Sequence, residues 1–511
     1  MDKNFYISTP IYYPSAKPHM GHAYSSIIAD FFARFKRIDG YKVHFLTGTD
    51  EHGLKIQRAA EAKGTNTLEF CNEISRTFKD LSKTLNLTNT DFIRTTEERH
   101  KKSVQHLWNE LKKNDDIYLS KYSGWYSVSD EAFYNDDEIH EVDKKKMAIS
   151  SGSPVEWVDE ESYFFRLSKW EKPLLDFYKD NPDFILPLAR KNEVISFVES
   201  GLKDLSVSRK SFSWGIKVPN DNNHVIYVWL DALTNYLSSL NYPNYNSDLF
   251  KKFWPASIHL IGKDILRFHA VYWPAFLLAA KIQPPKKVYG HGWILSNEEK
   301  MSKSKGNILD PIEIIDKYGL DPLRYYLIKE VSFGSDGNIS QDRLENCINS
   351  DLANNFGNLC QRVTTFATKN CGGKIPENVK FTKDDLLILE RYKNNLNKIR
   401  LEIDNQNINY YIDYIINSLF EVNKYFNDQE PWKMKNYPIR LNTIVYTTLE
   451  IVRKISFLLY PIIPESSLKA LKIFSLEEKD IKFSSIEKND YLIKGNKINK
   501  INILFNKIEK K

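Results

Sequence analysis

Two patterns of apolar residues divide the chain. Over residues 1–115 and 222–295, short apolar runs alternate with segments in which apolar residues recur every three or four positions. This alternation is typical of strands followed by helices, and it predicts a parallel, doubly wound α/β sheet. From Asp342 onward only the helical spacing continues, in long segments rich in Lys, Asn and Ile. That region is predicted to form a helical bundle.

The first strand and the first helix enclose a polar segment. Phe5 to Ser8 is apolar and aromatic and predicts a short buried strand that ends at Pro10, whereas helical spacing begins at Ala23. The segment 19–22, His-Met-Gly-His, therefore lies at a strand-to-helix junction. Free backbone N–H groups and the positive end of the helix dipole favour phosphate at such a junction.

The residue types in this segment suit a nucleotide. Gly21 leaves space for a base or a ribose to approach the backbone, and the imidazoles of His19 and His22 can both donate hydrogen bonds to phosphates. Taken alone, the segment is equally compatible with a surface turn that carries two incidental histidines.

Later segments extend the α/β pattern. Residues 43–49 predict a second strand and residues 51–63 a helix. Asp50 between them either faces a ligand at the carboxyl end of the strand or caps the helix, and the two roles can coexist. Residues 224–230 predict another strand, which is followed by a helix over residues 231–240.

A second polar segment, Lys300-Met-Ser-Lys-Ser-Lys-Gly306, has hydroxyl and ammonium groups and almost no apolar content. Alone it would be a solvated basic loop. Together with residues 19–22, however, it resembles the paired signatures of the class I aminoacyl-tRNA synthetases. The segments 9–13 (Thr-Pro-Ile-Tyr-Tyr), 47–53 (Thr-Gly-Thr-Asp-Glu-His-Gly), 228–232 (Val-Trp-Leu-Asp-Ala) and 261–264 (Ile-Gly-Lys-Asp) are similar to methionyl-tRNA synthetases. The resemblance covers essentially the whole chain.

The resemblance implies a Rossmann-like class I synthetase catalytic domain that is split by a small β-rich connective insertion and followed by an α-helical bundle for anticodon binding. The implied parts are the first catalytic half (1–115), the insertion (116–221), the second catalytic half (222–295), the Lys300 loop with a stem-contact region (296–345), and the anticodon-binding domain with a C-terminal tail (346–511).

The insertion of many methionyl enzymes carries cysteine knuckles that bind zinc. Here Ser127, Ser151 and Ser153 stand at the comparable places. Because hydroxyl groups are poor zinc ligands, we expect the zinc-free form of the knuckle and no structural metal.

The resemblance also implies which residues carry the reaction. The expected catalytic residues are His19, Gly21, His22, Lys300 and Lys303. The expected ATP site adds Gly262, Asp264, Met301 and Ser302 to these. The expected methionine pocket consists of Ile11, Tyr13, Asp50, Trp229, Ala232, Leu233, Tyr236, Ile265 and His269. Asp50 would hold the α-amino group, and for each aromatic residue ordinary core packing is the alternative.

The expected anticodon contacts are Asn358, Arg362, Pro431 and Trp432. The first two are spaced i and i+4 on one helix, and single-stranded RNA is read by stacking and by amide or guanidinium contacts. Trp432 could equally be a core tryptophan that caps a helix pair. The tail, residues 495–511, is compatible with a strand or with a disordered basic segment, whereas the resemblance favours an ordered tail.

Composition adds limits to this picture. The 511 residues suffice for two to four structural units, and a net charge of +6 permits a polyanionic partner without demonstrating one. The 4 cysteines lack Cys-x-x-Cys spacing, which predicts reduced thiols. No apolar run is long enough to span a bilayer, and no signal or transit pattern is present. We expect a cytoplasmic protein without membrane contact and, because no appended dimerisation module is seen, a monomer.

The implied function is ATP-dependent ligation of L-methionine to initiator and elongator methionine tRNAs through methionyl-adenylate, with Mg²⁺ accompanying ATP. The alternatives are a different class I synthetase, a nucleotidyltransferase that forms an adenylate without tRNA, and a catalytically inactive RNA-binding relative. Residues 11–13 and 228–231 argue against the first, the expected anticodon residues against the second, and the expected catalytic residues against the third.

Overall fold

The computed structural model describes residues 3–509 except 16, 131, 143–144, 297–298 and 301–309. The chain divides into two compact units. One, which we call the sheet unit, contains residues 4–29 and 43–291. The other, the helical unit, contains residue 3, residues 30–42 and the described residues from 292 onward.

Strands are confined mainly to the sheet unit. In chain order they are β1 (Asn4–Tyr12), β2 (Lys42–Thr49), β3 (Asp91–Arg94), β4 (Ile117–Ser127), β5 (Ala132–Tyr134), β6 (Ile139–Val142), β7 (Lys145–Ala148), β8 (Glu156–Phe165), β9 (Ile185–Leu186), β10 (Leu205–Ser206), β11 (Ser208–Arg209), β12 (Lys217–Val218), β13 (Asp221–Ile226), β14 (Ile258–Gly262), β15 (Val288–His291), β16 (Ile294–Ser296), β17 (Glu299–Lys300) and β18 (Gly337–Ile339).

Helices occur in both units, and the longest are in the helical unit. In chain order they are α1 (Met20–Ile38), α2 (Leu54–Lys63), α3 (Thr67–Thr84), α4 (Glu98–Lys113), α5 (Glu171–Asp180), α6 (Leu188–Glu199), α7 (Val228–Leu233), α8 (Asn235–Ser238), α9 (Asp248–Phe253), α10 (Trp273–Ala279), α11 (Pro311–Tyr318), α12 (Leu320–Glu330), α13 (Gln341–Cys347), α14 (Asn358–Asn370), α15 (Lys383–Asp404), α16 (Ile408–Asp428), α17 (Pro438–Leu459), α18 (Pro464–Leu471) and α19 (Phe483–Ile486).

The sheet unit is built on a six-stranded sheet with the order β3-β2-β1-β14-β15-β9. β1 pairs in parallel with β14, with Ile7 opposite Ile258, and β14 pairs in parallel with β15. Strands of such a sheet are covered on both faces, and β1 and β14 are buried over most of their length. The predicted doubly wound sheet is confirmed, and its strands end at one edge, where ligands bind in this class of fold.

Three predicted boundaries within this unit are wrong. β1 does not end at Pro10 but continues to Tyr12, whose carbonyl accepts the N–H of Asp50. α2 begins at Leu54, with Gly53 at φ 109° before it, so Asp50 does not cap this helix. β13 ends at Ile226, and the predicted strand through residue 230 is instead the start of α7, because the Tyr227 carbonyl accepts the N–H of Asp231.

The expected β-rich insertion is confirmed as an antiparallel sheet with the order β10-β8-β4-β5. Beside it, the carboxylate of Asp130 accepts hydrogen bonds from Ser151 Oγ (2.5 Å), Ser153 Oγ (2.8 Å) and Tyr134 OH (2.8 Å). Hydroxyl groups and one carboxylate therefore hold this turn together. Within the part of the chain that the structure describes, no three His, Cys, Asp or Glu side chains form a metal-binding group.

The helical unit is a bundle around α17, which is buried from Thr443 to Leu459. α17 is buried on all sides, including its Glu450, Arg453 and Lys454, whereas α15 and α16 bury one face each. The tail joins this unit: the N–H of Gly495 donates to Ile375 O and that of Ile498 to Gly373 O, each at 2.8 Å. The tail is therefore ordered through residue 509, as the resemblance implied, and forms neither a helix nor a named strand.

The four cysteines, Cys71, Cys347, Cys360 and Cys371, are free thiols. Burial raises the pKa of Cys71 and of Cys347 to about 12 and that of Cys371 to about 11, which keeps these thiols protonated and unreactive. Of the helices in the described residues, none has the length and hydrophobicity needed to cross a membrane.

Candidate active site and RNA-binding pocket

At the helix start, residues 19–22, the two histidine side chains accept hydrogen bonds from the backbone N–H groups. The N–H of His19 donates to Nδ1 of His22 (3.0 Å), and the N–H of Gly21 donates to Nδ1 of His19 (3.1 Å). A Cβ on Gly21 would lie 3.0 Å from Cε1 of His19, so glycine lets the ring fold over the helix start. The N–H groups expected to be free are thus bonded, because the orphan donors of a helix start take nearby acceptors.

These bonds determine where the protons of the two imidazoles are. A backbone N–H can only donate, so Nδ1 of each ring accepts and the ring proton is on Nε2. Desolvation and the neighbouring His19 hold the pKa of His22 well below its ordinary value of 6.5. Both rings therefore present an Nε2–H group that can donate to an anion, as the sequence predicted.

Gly262 and Asp264 lie at the carboxyl end of β14. A Cβ on Gly262 would be 2.6 Å from Oδ1 of Asp264, so only glycine leaves this space open. Gly262 is paired with His291 at the end of β15, and Nε2 of His291 lies 2.7 Å from Oγ of Ser25 on α1. The strand edge, the aspartate and the first helix are thus brought together within the sheet unit.

The loop after β2 is held by contacts that replace the predicted helical turn. The buried carboxylate of Glu51 accepts from Arg94 Nε (2.7 Å) and Nη2 (3.0 Å), and also from Thr96 Oγ1 (2.6 Å). Trp214 accepts from the N–H of Gly53 and donates from Nε1 to Glu51 O. Asp50 is fixed between these anchors and the Tyr12 carbonyl, and it is 6% exposed.

The predicted methionine-pocket residues all belong to the sheet unit. Tyr236 OH lies 2.8 Å from Nε2 of His269, and Nδ1 of His269 lies 3.0 Å from Ile265 O. The carbonyl requires a proton on Nδ1, so Nε2 accepts from the tyrosine. Burial lowers the pKa of His269 to about 4, which keeps this ring neutral. The ring of Trp229 stacks on Phe268 at 3.6 Å between centroids.

The remaining members line the same region. Ile11, Tyr13, Trp229 and Ile265 are half-buried and pack against the main apolar core, which includes Leu233 and Tyr236. Ala232 is buried on α7. Tyr13 OH donates to His52 O at 3.0 Å. The predicted residues thus combine aromatic side chains, a neutral imidazole and one carboxylate, and the ammonium of Lys55 lies 5.2 Å from the centroid of the Tyr13 ring. A mixture of apolar walls and few polar groups is typical of small-molecule sites.

The Lys300 segment is described only in part. The backbone of Lys300 belongs to β17, opposite Leu295 of β16, rather than to an irregular loop. Met301, Ser302 and Lys303 lie outside the described residues. The chain is described again from Asp310, whose side chain caps α11 by accepting the N–H of Ile312 (2.8 Å).

The expected anticodon residues lie together in the helical unit. Asn358, Arg362 and Trp432 line an open pocket of about 410 Å³ together with Gln361, Thr365, Phe366, Lys369 and Phe426. The Arg362 guanidinium lies 4.8 Å from the Phe426 ring, and Phe426 and Trp432 are 6.4 Å apart edge to face. Trp432 is 43% exposed, which excludes the core interpretation. Pro431 is buried and begins the 3-10 turn that carries the tryptophan.

Several residues of both pockets were missed. Phe268, His52, His100 and His291 were not predicted as site residues, although His52 lies in the segment 47–53 and Phe268 precedes His269; the fold supplies their contacts to the site. Phe366 and Lys369 could have been found, because they continue the i, i+4 face of α14 that begins at Asn358.

Comparison with known proteins agrees with this geometry. Residues 5–146 and 140–364 match the family model described as tRNA synthetases class I (M), and residues 375–511 match the anticodon binding domain of methionyl tRNA ligase. The methionine–tRNA ligase of Rickettsia conorii is 47% identical over 513 residues, with 100% of both chains covered. That of Brucella suis is 47% identical over 485 residues, covering 95% of this chain and 94% of the relative.

A solved structure leads to the same family. Mycobacterium tuberculosis methionyl-tRNA synthetase in complex with methionyl-adenylate matches with a TM-score of 0.96 and 44% identity, over 98% of this chain and 99% of the other. The apo form of that enzyme matches with a TM-score of 0.90. The chain belongs to the methionyl-tRNA synthetases, a family of the class I aminoacyl-tRNA synthetases.

Proposed function

We propose that this protein ligates L-methionine to initiator and elongator methionine tRNAs in two steps. The carboxylate of methionine attacks the α-phosphorus of ATP to give methionyl-adenylate and pyrophosphate. A terminal hydroxyl of the tRNA then attacks the acyl carbon of the adenylate, which forms the ester and releases AMP. The observation that carries the proposal is the pair of Nε2–H donors of His19 and His22 at the start of α1. It is supported by full-length similarity to methionine–tRNA ligases.

The first step needs alignment and charge stabilisation more than covalent chemistry. His19 and His22 would donate to the ATP phosphates, and rotation of their rings would also free the N–H groups of His19 and Gly21 for the same anion. In the segment 300–303, which includes Met301, Lys300 and Lys303 would contribute cations and Ser302 a hydroxyl to the pyrophosphate leaving group. Asp264 would accept from the ribose hydroxyls beside Gly262.

Methionine would be selected by enclosure of its side chain and by a contact to its α-amino group. Asp50 would accept the α-amino group, while Ile11, Tyr13 and Trp229 would enclose the thioether. His269 is neutral and its Nε2 accepts the Tyr236 hydroxyl, so this pair adds neither a cation nor an ionised phenol to the region. An apolar side chain with a soft sulfur can therefore be buried there without an unpaired charge.

The tRNA would be read in the pocket of the helical unit. An exposed indole offers a face for base stacking, and Arg362 and Asn358 offer hydrogen bonds to base edges. Pro431 would act by fixing the turn that carries Trp432. Lys369 at the same pocket adds a cation for the RNA backbone.

Several wider features are part of this proposal. Mg²⁺ would enter with ATP, because magnesium keeps water ligands and binds through substrate phosphates. We propose the five-part division at residues 115, 221, 295 and 345, a monomeric state and a cytoplasmic location. The separate matches of residues 5–364 and 375–511 to two family models support a division into a catalytic and an anticodon-binding part.

The test is ATP–pyrophosphate exchange with each amino acid in turn, without tRNA. Exchange with methionine alone is the expected result, and charging of initiator and elongator methionine tRNA transcripts should follow. Exchange with a different amino acid would refute the methionine pocket while leaving the adenylate chemistry. Absence of exchange with any amino acid would refute the first step as written.

A further inference from the structure

A buried carboxylate with two histidine partners lies next to the proposed methionine pocket. Each oxygen of Asp231 accepts one hydrogen bond of 2.7 Å, one from Nδ1 of His52 and the other from Nε2 of His100. None of the three residues is more than 4% exposed. A buried charge is tolerated only where its partners repay the loss of water, so the three residues form one structural group.

Each member of this group either belongs to a segment that carries a pocket residue or contacts such a segment. His52 lies two residues after Asp50, and its carbonyl accepts the hydroxyl of Tyr13. Asp231 lies on α7 between Trp229 and Leu233. His100 lies on α4, and its Nδ1 is 3.1 Å from Oγ of Ser238 on α8, the helix that carries Tyr236.

The electrostatics keep the group together near neutral pH. Burial raises the pKa of Asp231, but the two imidazoles and their hydrogen bonds lower it by more, so the pKa lies below its ordinary value. An ionised carboxylate only accepts, so Nδ1 of His52 and Nε2 of His100 must both donate. Hydrogen bonds to a charged group are stronger than neutral ones, so this group resists small displacements of the loop or of α7.

We propose that Asp231, His52 and His100 are positioning residues that set the length of the amino acid side chain accepted by the enzyme. They fix the separation between Asp50, which would hold the α-amino group, and the wall formed by Trp229, Leu233 and Tyr236. None of the three needs to touch the substrate. This inference rests on the methionine activation proposed above.

The test uses the full chain in pyrophosphate exchange with methionine and with ethionine, which is longer by one methylene. Asp231→Asn is expected to raise the KM for methionine about 10- to 150-fold, because it removes a charged hydrogen bond, and to leave the KM for ATP within about twofold. It should also reduce the preference for methionine over ethionine, since one methylene is worth about 10- to 200-fold only in a fixed pocket.

The matched control is Asp116→Asn. Asp116 is also a buried carboxylate with two N–H donors, Lys169 Nζ (2.8 Å) and Trp170 Nε1 (3.2 Å), but it lies outside the pocket. This variant should keep wild-type KM values and wild-type selectivity. If Asp231→Asn does not fold, His100→Gln, which keeps an amide N–H donor, should change the same two quantities by a smaller factor.

The outcomes separate the two proposals. Wild-type enzyme that exchanges with another amino acid but not with methionine would refute the proposed function and this inference with it. Wild-type exchange with methionine, combined with unchanged methionine KM and selectivity in folded Asp231→Asn or His100→Gln, would overturn the positioning role alone. Equal increases in KM for methionine and ATP would also overturn it, because they indicate a general loss of structure.

Discussion

The two pockets of this protein differ in how they expose their aromatic residues. In the proposed methionine pocket, Tyr236 is 1% and His269 2% exposed, and both are joined by a hydrogen bond. In the proposed anticodon pocket, Trp432 is 43% exposed and the cavity is open to solvent. Both pockets are rich in rings, and Phe426 of the anticodon pocket is buried as Tyr236 is, but the anticodon pocket also presents an exposed indole.

The difference in exposure between the two pockets follows from the size and polarity of their proposed ligands. A small apolar side chain gains affinity only by leaving water, so its site must enclose it and must itself be free of unpaired charge. An anticodon loop arrives as a large structure with exposed bases, so its site must be a surface on which bases stack. Burial is therefore a guide to the class of ligand, whereas aromatic content alone is not.

The largest expected effect separates the chemistry from RNA binding. His22→Ala should lower kcat in pyrophosphate exchange about 10²- to 10³-fold, because one preorganised donor to the phosphates is lost. Affinity for methionine tRNA, measured by filter binding, should stay at the wild-type value. His106→Ala, which removes a half-buried histidine of the same unit that packs on Tyr242, is the control and should be fully active. A loss of less than about threefold in His22→Ala would contradict the phosphate role.

The next effect tests the single carboxylate in the enclosed pocket. Asp50→Asn should raise the KM for methionine about 10- to 150-fold, since a hydrogen bond between two charged groups is lost. The inhibition constant of the deaminated analogue 4-methylthiobutyrate should not change, because that molecule has no amine for Asp50 to hold. Equal weakening of both ligands would mean that Asp50 supports the loop rather than the amino group.

The open pocket is tested by its indole. Trp432→Ala should raise the KM for tRNA about 5- to 150-fold, the cost of one lost stacking contact, while pyrophosphate exchange stays at the wild-type rate. Trp432→Phe should recover part of the loss. Tyr437→Ala removes an aromatic residue that is 66% exposed but does not line the pocket, so it should bind tRNA normally. Loss of both reactions in Trp432→Ala would instead indicate a folding role.

The local sequence pattern was sufficient to predict those structural elements that are determined by interactions between neighbouring residues. The strand-to-helix junction at residues 19–22 and the i, i+4 pair Asn358 and Arg362 were predicted correctly, because neighbouring residues define them. The start of α2 was not, because Glu51 and His52 make long-range bonds to Arg94 and Asp231 that prevent a helical turn there. Periodicity contains no information about partners distant in sequence.

The same reason explains the missed residues of the site. His100 is one of two histidines on the amphipathic helix α4, and nothing near it in the sequence indicates that it donates to Asp231. His291 precedes a glycine at the end of β15 and contacts Ser25 only because β15 and α1 meet in the fold. From the sequence alone, these two residues could be singled out only because histidine often acts at functional sites.

The smallest expected effect is on the free energy of unfolding. Its pH dependence differs between the two units. Lys454 is buried on α17, where its Nζ donates to Asn489 Oδ1 (2.7 Å) and to Leu389 O (3.1 Å). Burial, with a smaller contribution from Arg453, lowers its pKa from 10.5 to about 7. In the sheet unit, burial lowers the pKa of His44 and of His269 from 6.5 to about 4.

The sign is the same for both groups, but the pH windows are different. Between pH 10.5 and about 7 the unfolded chain binds a proton at Lys454 that the folded chain does not, so stability falls as the pH is lowered through this window. The histidines have the corresponding effect between pH 6.5 and about 4. Lys454→Met should therefore remove the upper window and leave the lower one.

The measurement is urea unfolding of wild type and Lys454→Met between pH 7 and 10. Over this range the unfolding free energy of the wild type should rise by a few kcal/mol relative to that of the variant, because each unit of pKa shift corresponds to about 1.4 kcal/mol. Lys435→Met, at an exposed lysine, should follow the wild-type curve. Parallel curves for wild type and Lys454→Met would mean that the buried amine keeps its proton as readily as in the unfolded chain. Pyrophosphate exchange should be unchanged in both variants, because neither lysine belongs to a pocket, and this separates the stability of the helical unit from the chemistry of the sheet unit.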